Sequence, residues 1–115
     1  MQCRHAGAIP VLAAITMGPA RLPADAQEAV SLQTSIQNHR FQPSELTVPA
    51  NRPITLAVRN LDPTPEEFES RTLRVEKVVA GNSEITIKLR PLSPGRYRFY
   101  GDFNQATAQG AITAE

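Results

Sequence analysis

Apolar and polar residues alternate along this chain in short runs, and no long stretch repeats them at the helical period. The run Val30 to Gln37 sets Val30, Leu32, Thr34 and Ile36 on one side and Ser31, Gln33, Ser35 and Gln37 on the other. A period of two is that of a half-buried strand. Glu45 to Pro49, Ile54 to Asn60, Thr72 to Val79, Glu84 to Leu89, Arg96 to Tyr100 and Gly110 to Ala114 read the same way. Between them stand turn residues: Asn38-His39-Arg40, Asn51-Arg52-Pro53, Gly81-Asn82, Pro94-Gly95 and Gly101-Asp102. Phe41 reads as a core plug, and Pro43 bars a central strand position. Ala106 to Gln109 reads as a helical turn. Seven to eight short strands with turns every eight to twelve residues predict an all-β Greek-key sandwich or barrel.

The first residues stand apart from this pattern. Arg4 and His5 make a short basic start, Ala6 to Gly18 is an apolar run of small residues, and Ala24-Asp25-Ala26 has the form of a cleavage site. That predicts a secretory signal peptide over residues 1–26 and one domain over 27–115. The apolar run is too short to span a bilayer as a mature helix, so no membrane insertion is expected after its removal. The cut takes Arg4, Arg21 and Asp25, which turns 12 basic and 11 acidic residues into ten of each. A neutral chain has no basic excess for nucleic acid. The cut also takes Cys3, both methionines and His5, and leaves His39 as the one histidine. An exported domain without a disulfide depends on its core.

The segment between the third and fourth of these strands, residues 60–77, draws the functional question. Pro63 and Pro65 stiffen it against a helix. Glu66, Glu67 and Glu69 then bracket Phe68. One reading is a stiff connection that holds carboxylates at a barrel rim. The other is a solvated acidic loop. Nucleophilic catalysis lacks a cysteine and a serine-histidine motif, and no glycine-rich phosphate loop is present. The plausible metal ligands are Glu66, Glu67, Glu69, Glu76, Asp102 and His39. Carboxylates with at most one imidazole suit Ca, Mn, Fe or Cu(II). Against that, Glu76 has Lys77 and Arg74 beside it, Asp102 can cap the turn after Gly101, and His39 reads as a turn residue.

Several stretches taken together resemble one family. They are Phe41-x-Pro43-x-x-Leu46-x-Val48-Pro49-Ala50-x-x-Pro53, Asn60 to Ser70, Glu76-Lys77-Val78-Val79, Pro91-Leu92-x-Pro94-Gly95-x-Tyr97-x-Phe99 and Asp102-Phe103. These resemble the periplasmic cupredoxin-like proteins, in the subgroup attached to bacterial ferrous-iron uptake and encoded beside an iron permease. The resemblance covers nearly all of residues 30–115. It implies a periplasmic accessory protein that binds copper or iron weakly and passes iron or electrons to a metal-binding partner and an inner-membrane iron permease. The alternative on the same fold is a metal-free module that docks on an iron-transport partner. A ferroxidase activity ranks last, since it needs a redox-competent centre.

The resemblance also places ligands. Blue-copper relatives would have their first histidine near Glu66, the cysteine near Gly101 or Asp102, the second histidine near Asn104 and the methionine a few residues on. This sequence has none of them, so no type 1 blue-copper centre is expected. The subgroup's Asp-x-His loop reads Asp102-Phe103-Asn104. The resulting metal-ligand expectation is Glu66, Glu69, Glu76, Asp102 and Asn104, with no catalytic residue.

Overall fold

The computed structural model describes residues 28–115 and Gly18, and the predicted signal peptide lies outside the described residues but for Gly18. Among the described residues nine strands form two sheets. They are β1 (Val30–Gln37), β2 (Arg40–Gln42), β3 (Glu45–Val48), β4 (Ile54–Asn60), β5 (Glu66–Ser70), β6 (Val75–Val79), β7 (Ser83–Leu89), β8 (Gly95–Gly101) and β9 (Gln109–Ala114). One sheet runs β2-β1-β4-β7 and the other β3-β9-β8-β5-β6. β1 pairs with β4 and β3 with β9 in parallel, and the remaining pairs are antiparallel. This is the all-β Greek-key sandwich that the alternation predicts. Among the described residues no helix is long and apolar enough to cross a membrane.

Two segments depart from expectation. Glu66–Ser70 is a strand, not a stiff connection or a solvated loop, and Arg40–Gln42 is a short strand paired to β1. They raise the count from seven or eight to nine. The residues Thr72 to Arg74, expected to be extended, turn the chain between β5 and β6, with Arg74 at φ 56°. The helical turn comes earlier than expected, as a 3-10 turn over Asp102–Asn104.

The inward faces are those the period of two assigns. Ile54, Leu56 and Val58 of β4, Leu46 and Val48 of β3, and Phe99 of β8 are buried. Phe41, Phe68 and Phe99 meet at the centre. Phe41 stands edge-on to Phe99 at 4.9 Å and to Phe68 at 5.9 Å, while Phe68 and Phe99 stack at 5.0 Å. Such pairs add about 0.5–1.5 kcal/mol each beyond the area they bury.

One end of the sandwich is held by polar groups. Asn38 and His39 take φ of 54° and 58°, the tight hairpin geometry between β1 and β2. Both backbone N–H groups donate to the buried carboxylate of Asp62, at 2.8 and 2.9 Å. The side chain of Asn60, fully buried, fixes the loop that carries Asp62. It donates to the carbonyls of Thr64 and Val79 and accepts from the Asp62 N–H. Thr107 closes the end by donating to the His39 carbonyl at 2.6 Å.

Candidate functional site

The period of two in β5 divides the acidic segment between the two faces of its sheet. Glu66, Phe68 and Ser70 point into the sandwich, and Glu67 and Glu69 point out. The five residues expected to share a metal therefore fall into two groups. Glu66 and Asn104 meet inside, whereas Glu69 and Glu76 meet on the outer face and Asp102 stands beside them.

Inside, Glu66 is 2% exposed. Its Oε1 accepts the N–H of Glu67 at 3.0 Å and that of Phe103 at 2.9 Å. Its Oε2 accepts from the Asn104 side-chain amide at 2.6 Å. Among the described residues no buried side-chain polar atom lacks a partner, so this carboxylate is satisfied by N–H donors. The backbone of Gly101 packs directly on it. A Cβ at that position would sit 2.6 Å from the Glu66 carboxyl carbon and 2.7 Å from the Ala108 Cβ. The Gly101 N–H donates to the Ala108 carbonyl at 2.9 Å. Glu66, Gly101, Asn104 and Ala108 thus occupy one small volume at the loop end.

Outside, Glu69 lies directly across from Glu76, and Glu67 is two residues along on the same face. One carboxylate oxygen from each of Glu67, Glu69 and Glu76 lies within 4.8 Å of the others. Glu67, half-buried, has its carboxyl raised above the ordinary range. Partial burial leads, followed by a hydrogen bond shared with Glu69 and the charges of Glu76 and Asp102. Across from Glu69 on β8, Tyr100 is raised too, by partial burial and then by Glu69. The folded state holds the Glu67 proton more tightly than the unfolded chain does. That contribution is present below the ordinary glutamate value and is lost as pH rises through the raised one. At neutral pH, Glu67→Gln is therefore expected to raise the melting midpoint, and a lowered midpoint would contradict the crowding of charge. Asp102 adds its charge from the side, with Oδ1 taken by the Gln105 amide at 2.7 Å. His39 sits in the β1–β2 hairpin, with its carbonyl held by Thr107 and Nδ1 3.8 Å from Asp62, and its side chain belongs to neither group.

Asn60 and Asp62, which position the approach to Glu66, are absent from the sequence-based set. Their turn-forming types gave a signal, but not their burial. Glu67 was weighed there and left out of the final five, although the outer cluster depends on it.

A family profile described as a cupredoxin-like domain matches residues 7–114. The chain belongs to that family. This cupredoxin-like protein is 45% identical over 83 residues to an uncharacterized protein of Rickettsia prowazekii (strain Madrid E), covering 72% of this chain. The match spans 66% of that relative's length, just under two thirds. Among solved structures it is similar to auracyanin A, a "blue" copper protein of Chloroflexus aurantiacus, with a TM-score of 0.65 and 12% identity over 76% of this chain and 100% of that one. It is also similar to a purple cupredoxin from Nitrosopumilus maritimus, with a TM-score of 0.58 and 17% identity over 73% and 99%. Amicyanin from Paracoccus versutus gives a TM-score of 0.59 and 13% identity over 82% and 90%. At these identities the likeness is one of fold.

The fold family implies copper, and the donors at the loop end do not fit a type 1 centre. That centre takes two imidazoles and a thiolate, with a weak axial ligand. The resemblance sets those ligands near Glu66, near Gly101 or Asp102, near Asn104 and a few residues on, and the described residues hold no cysteine, no methionine and one histidine, His39. The Glu66 carboxylate and the Asn104 amide are joined to each other by a 2.6 Å hydrogen bond.

Proposed function

We propose that this cupredoxin-like protein is an exported accessory of ferrous-iron uptake. It binds a divalent ion, iron or copper, weakly through carboxylates and passes iron to a partner. The partners are a periplasmic metal-binding protein and an inner-membrane iron permease. The observation that carries the divalent-ion part of this reading is the outer-face cluster of Glu67, Glu69 and Glu76. An all-oxygen donor set on two half-buried residues and one exposed one is hard, suited to transient ligation of a divalent ion. The iron pathway rests on the resemblance of the sequence motifs to permease-associated members.

Titration with Fe(II) under anaerobic conditions, and separately with Cu(II), tests it. Glu69→Ala and Glu76→Ala are each expected to weaken binding about tenfold or more, equivalent to about 1.4 kcal/mol. Glu66→Gln should leave affinity unchanged, because Glu66 faces the other way. Affinity should also fall as the pH is lowered through the raised Glu67 value, since a proton on Glu67 competes with the cation. Affinity that survives loss of both Glu69 and Glu76 would remove the assignment.

The Glu66–Asn104 network favours a second reading, a metal-free module that docks on the same iron-transport partners. Partner binding that persists undiminished in a strong chelator and in the Glu69→Ala variant would select it.

A further inference from the structure

Beside the carboxylate cluster, the outer face of the five-stranded sheet carries an open groove of about 670 Å³. It is lined chiefly by Arg71, Arg96, Arg98, Tyr100, Gln105 and Gln109. Arg96, Arg98 and Tyr100 are successive outward residues of β8, and Arg71 opens the turn after β5. Arg98 lies across from Ala111 of β9, and Ala111 across from Glu45 of β3, which puts Glu45 on the same face as the arginines. Gly110, which carries no side chain, also lines the groove.

The charges within the groove do not cancel. Both oxygens of Glu45 are engaged by Arg96, at 2.8 and 2.9 Å. Among the described residues Arg71 and Arg98 have no ion-pair partner. Glu69 is close by, and the Tyr100 hydroxyl faces both Glu69 and Arg71. A chain with ten basic and ten acidic residues after its predicted leader thus sorts them on this face, with acids on β5 and β6 and guanidiniums over β8. Guanidinium forks match carboxylate and phosphate oxygens through paired N–H donors.

We propose that this groove binds a small, multiply charged oxyanion, held by the guanidiniums of Arg71 and Arg98. Its volume of about 670 Å³ favours an organic polycarboxylate over inorganic phosphate. The inference stands apart from the metal reading, since neither arginine is a metal ligand.

The test titrates the purified protein, in metal-free buffer at constant ionic strength, with citrate and with inorganic phosphate. Calorimetry reads affinity, and backbone amide NMR reads location. Saturable citrate binding is expected, with shifts confined to β8, the start of β9 and residues 71–72, and with weaker binding of phosphate at the same place. Arg71→Gln and Arg98→Gln should each weaken citrate about tenfold. Both side chains are exposed, so the melting midpoints and amide dispersion of the variants should match the parent. Phosphate binding as tightly as citrate would overturn the preference for a polycarboxylate. An equal response to added chloride, or citrate affinity retained by a folded Arg71→Gln, Arg98→Gln double variant, would overturn the site.

Discussion

Glu66→Ala is expected to lower unfolding free energy by about 3–5 kcal/mol, read from urea denaturation. The substitution strips acceptors from three donors at once: the N–H groups of Glu67 and Phe103 and the side-chain amide of Asn104. A donor left without a partner costs about 1–3 kcal/mol when buried, and these half-buried ones fall toward the low end of that range. The removed carboxymethyl group also leaves a cavity beside Gly101 and Ala108. In a domain this small, each kcal/mol moves the melting midpoint by about 4–8 °C. Glu66→Gln separates hydrogen bonding from charge. Its amide oxygen can accept both backbone N–H groups, and Asn104 can turn its own oxygen toward the new amide. That variant should lose about 1 kcal/mol or less. A Glu66→Ala protein as stable as the parent would show that the network does not hold the loop end together.

Gly101→Ala is the second large effect, expected to cost about 2–3 kcal/mol by overpacking. The added methyl would lie 2.6 Å from the Glu66 carboxyl carbon, 2.9 Å from its Oε1 and 2.7 Å from the Ala108 Cβ. Glu66 cannot swing aside without breaking its three hydrogen bonds. The collision and the network are therefore coupled. In a Glu66→Ala background the cost of Gly101→Ala should fall, giving a coupling of about 1 kcal/mol or more. Strict additivity in that cycle would mean the methyl is accommodated elsewhere. The same geometry bears on any attempt to place a thiolate there: Gly101→Cys in an otherwise unchanged chain meets Glu66 and Ala108 alike, and replacing Glu66 relieves only the first.

The scaffold was readable because its alternation is clean. Ile54, Leu56 and Val58, or Tyr97 and Phe99, announce an inward face directly. β5 was harder to read, because Glu66 and Ser70 share the inward face with Phe68 and break its apolar pattern. Two prolines just before it also weigh toward a loop. The division of Glu66 from Glu69 follows from the period of two once the strand is recognised, and not before. The meeting of Glu66 with Asn104 joins positions far apart in the chain, and no local spacing points to it. Only the resemblance to a known family placed them near one another. The outer cluster was half legible. Glu67 and Glu69 are two apart on one strand, but the position of Glu76 depends on the β5–β6 register, which a four-residue turn sets.

The Glu66–Asn104 bond has a bearing on how the protein matures. A domain whose loops are gathered by a metal must wait for that metal, and its yield then follows the local supply and the carriers that deliver it. Here the gathering groups are encoded in the chain itself. Closure of this end of the sandwich then follows from the chain's own donors and acceptors, and the yield of folded protein should be the same in medium stripped of iron and copper as in replete medium.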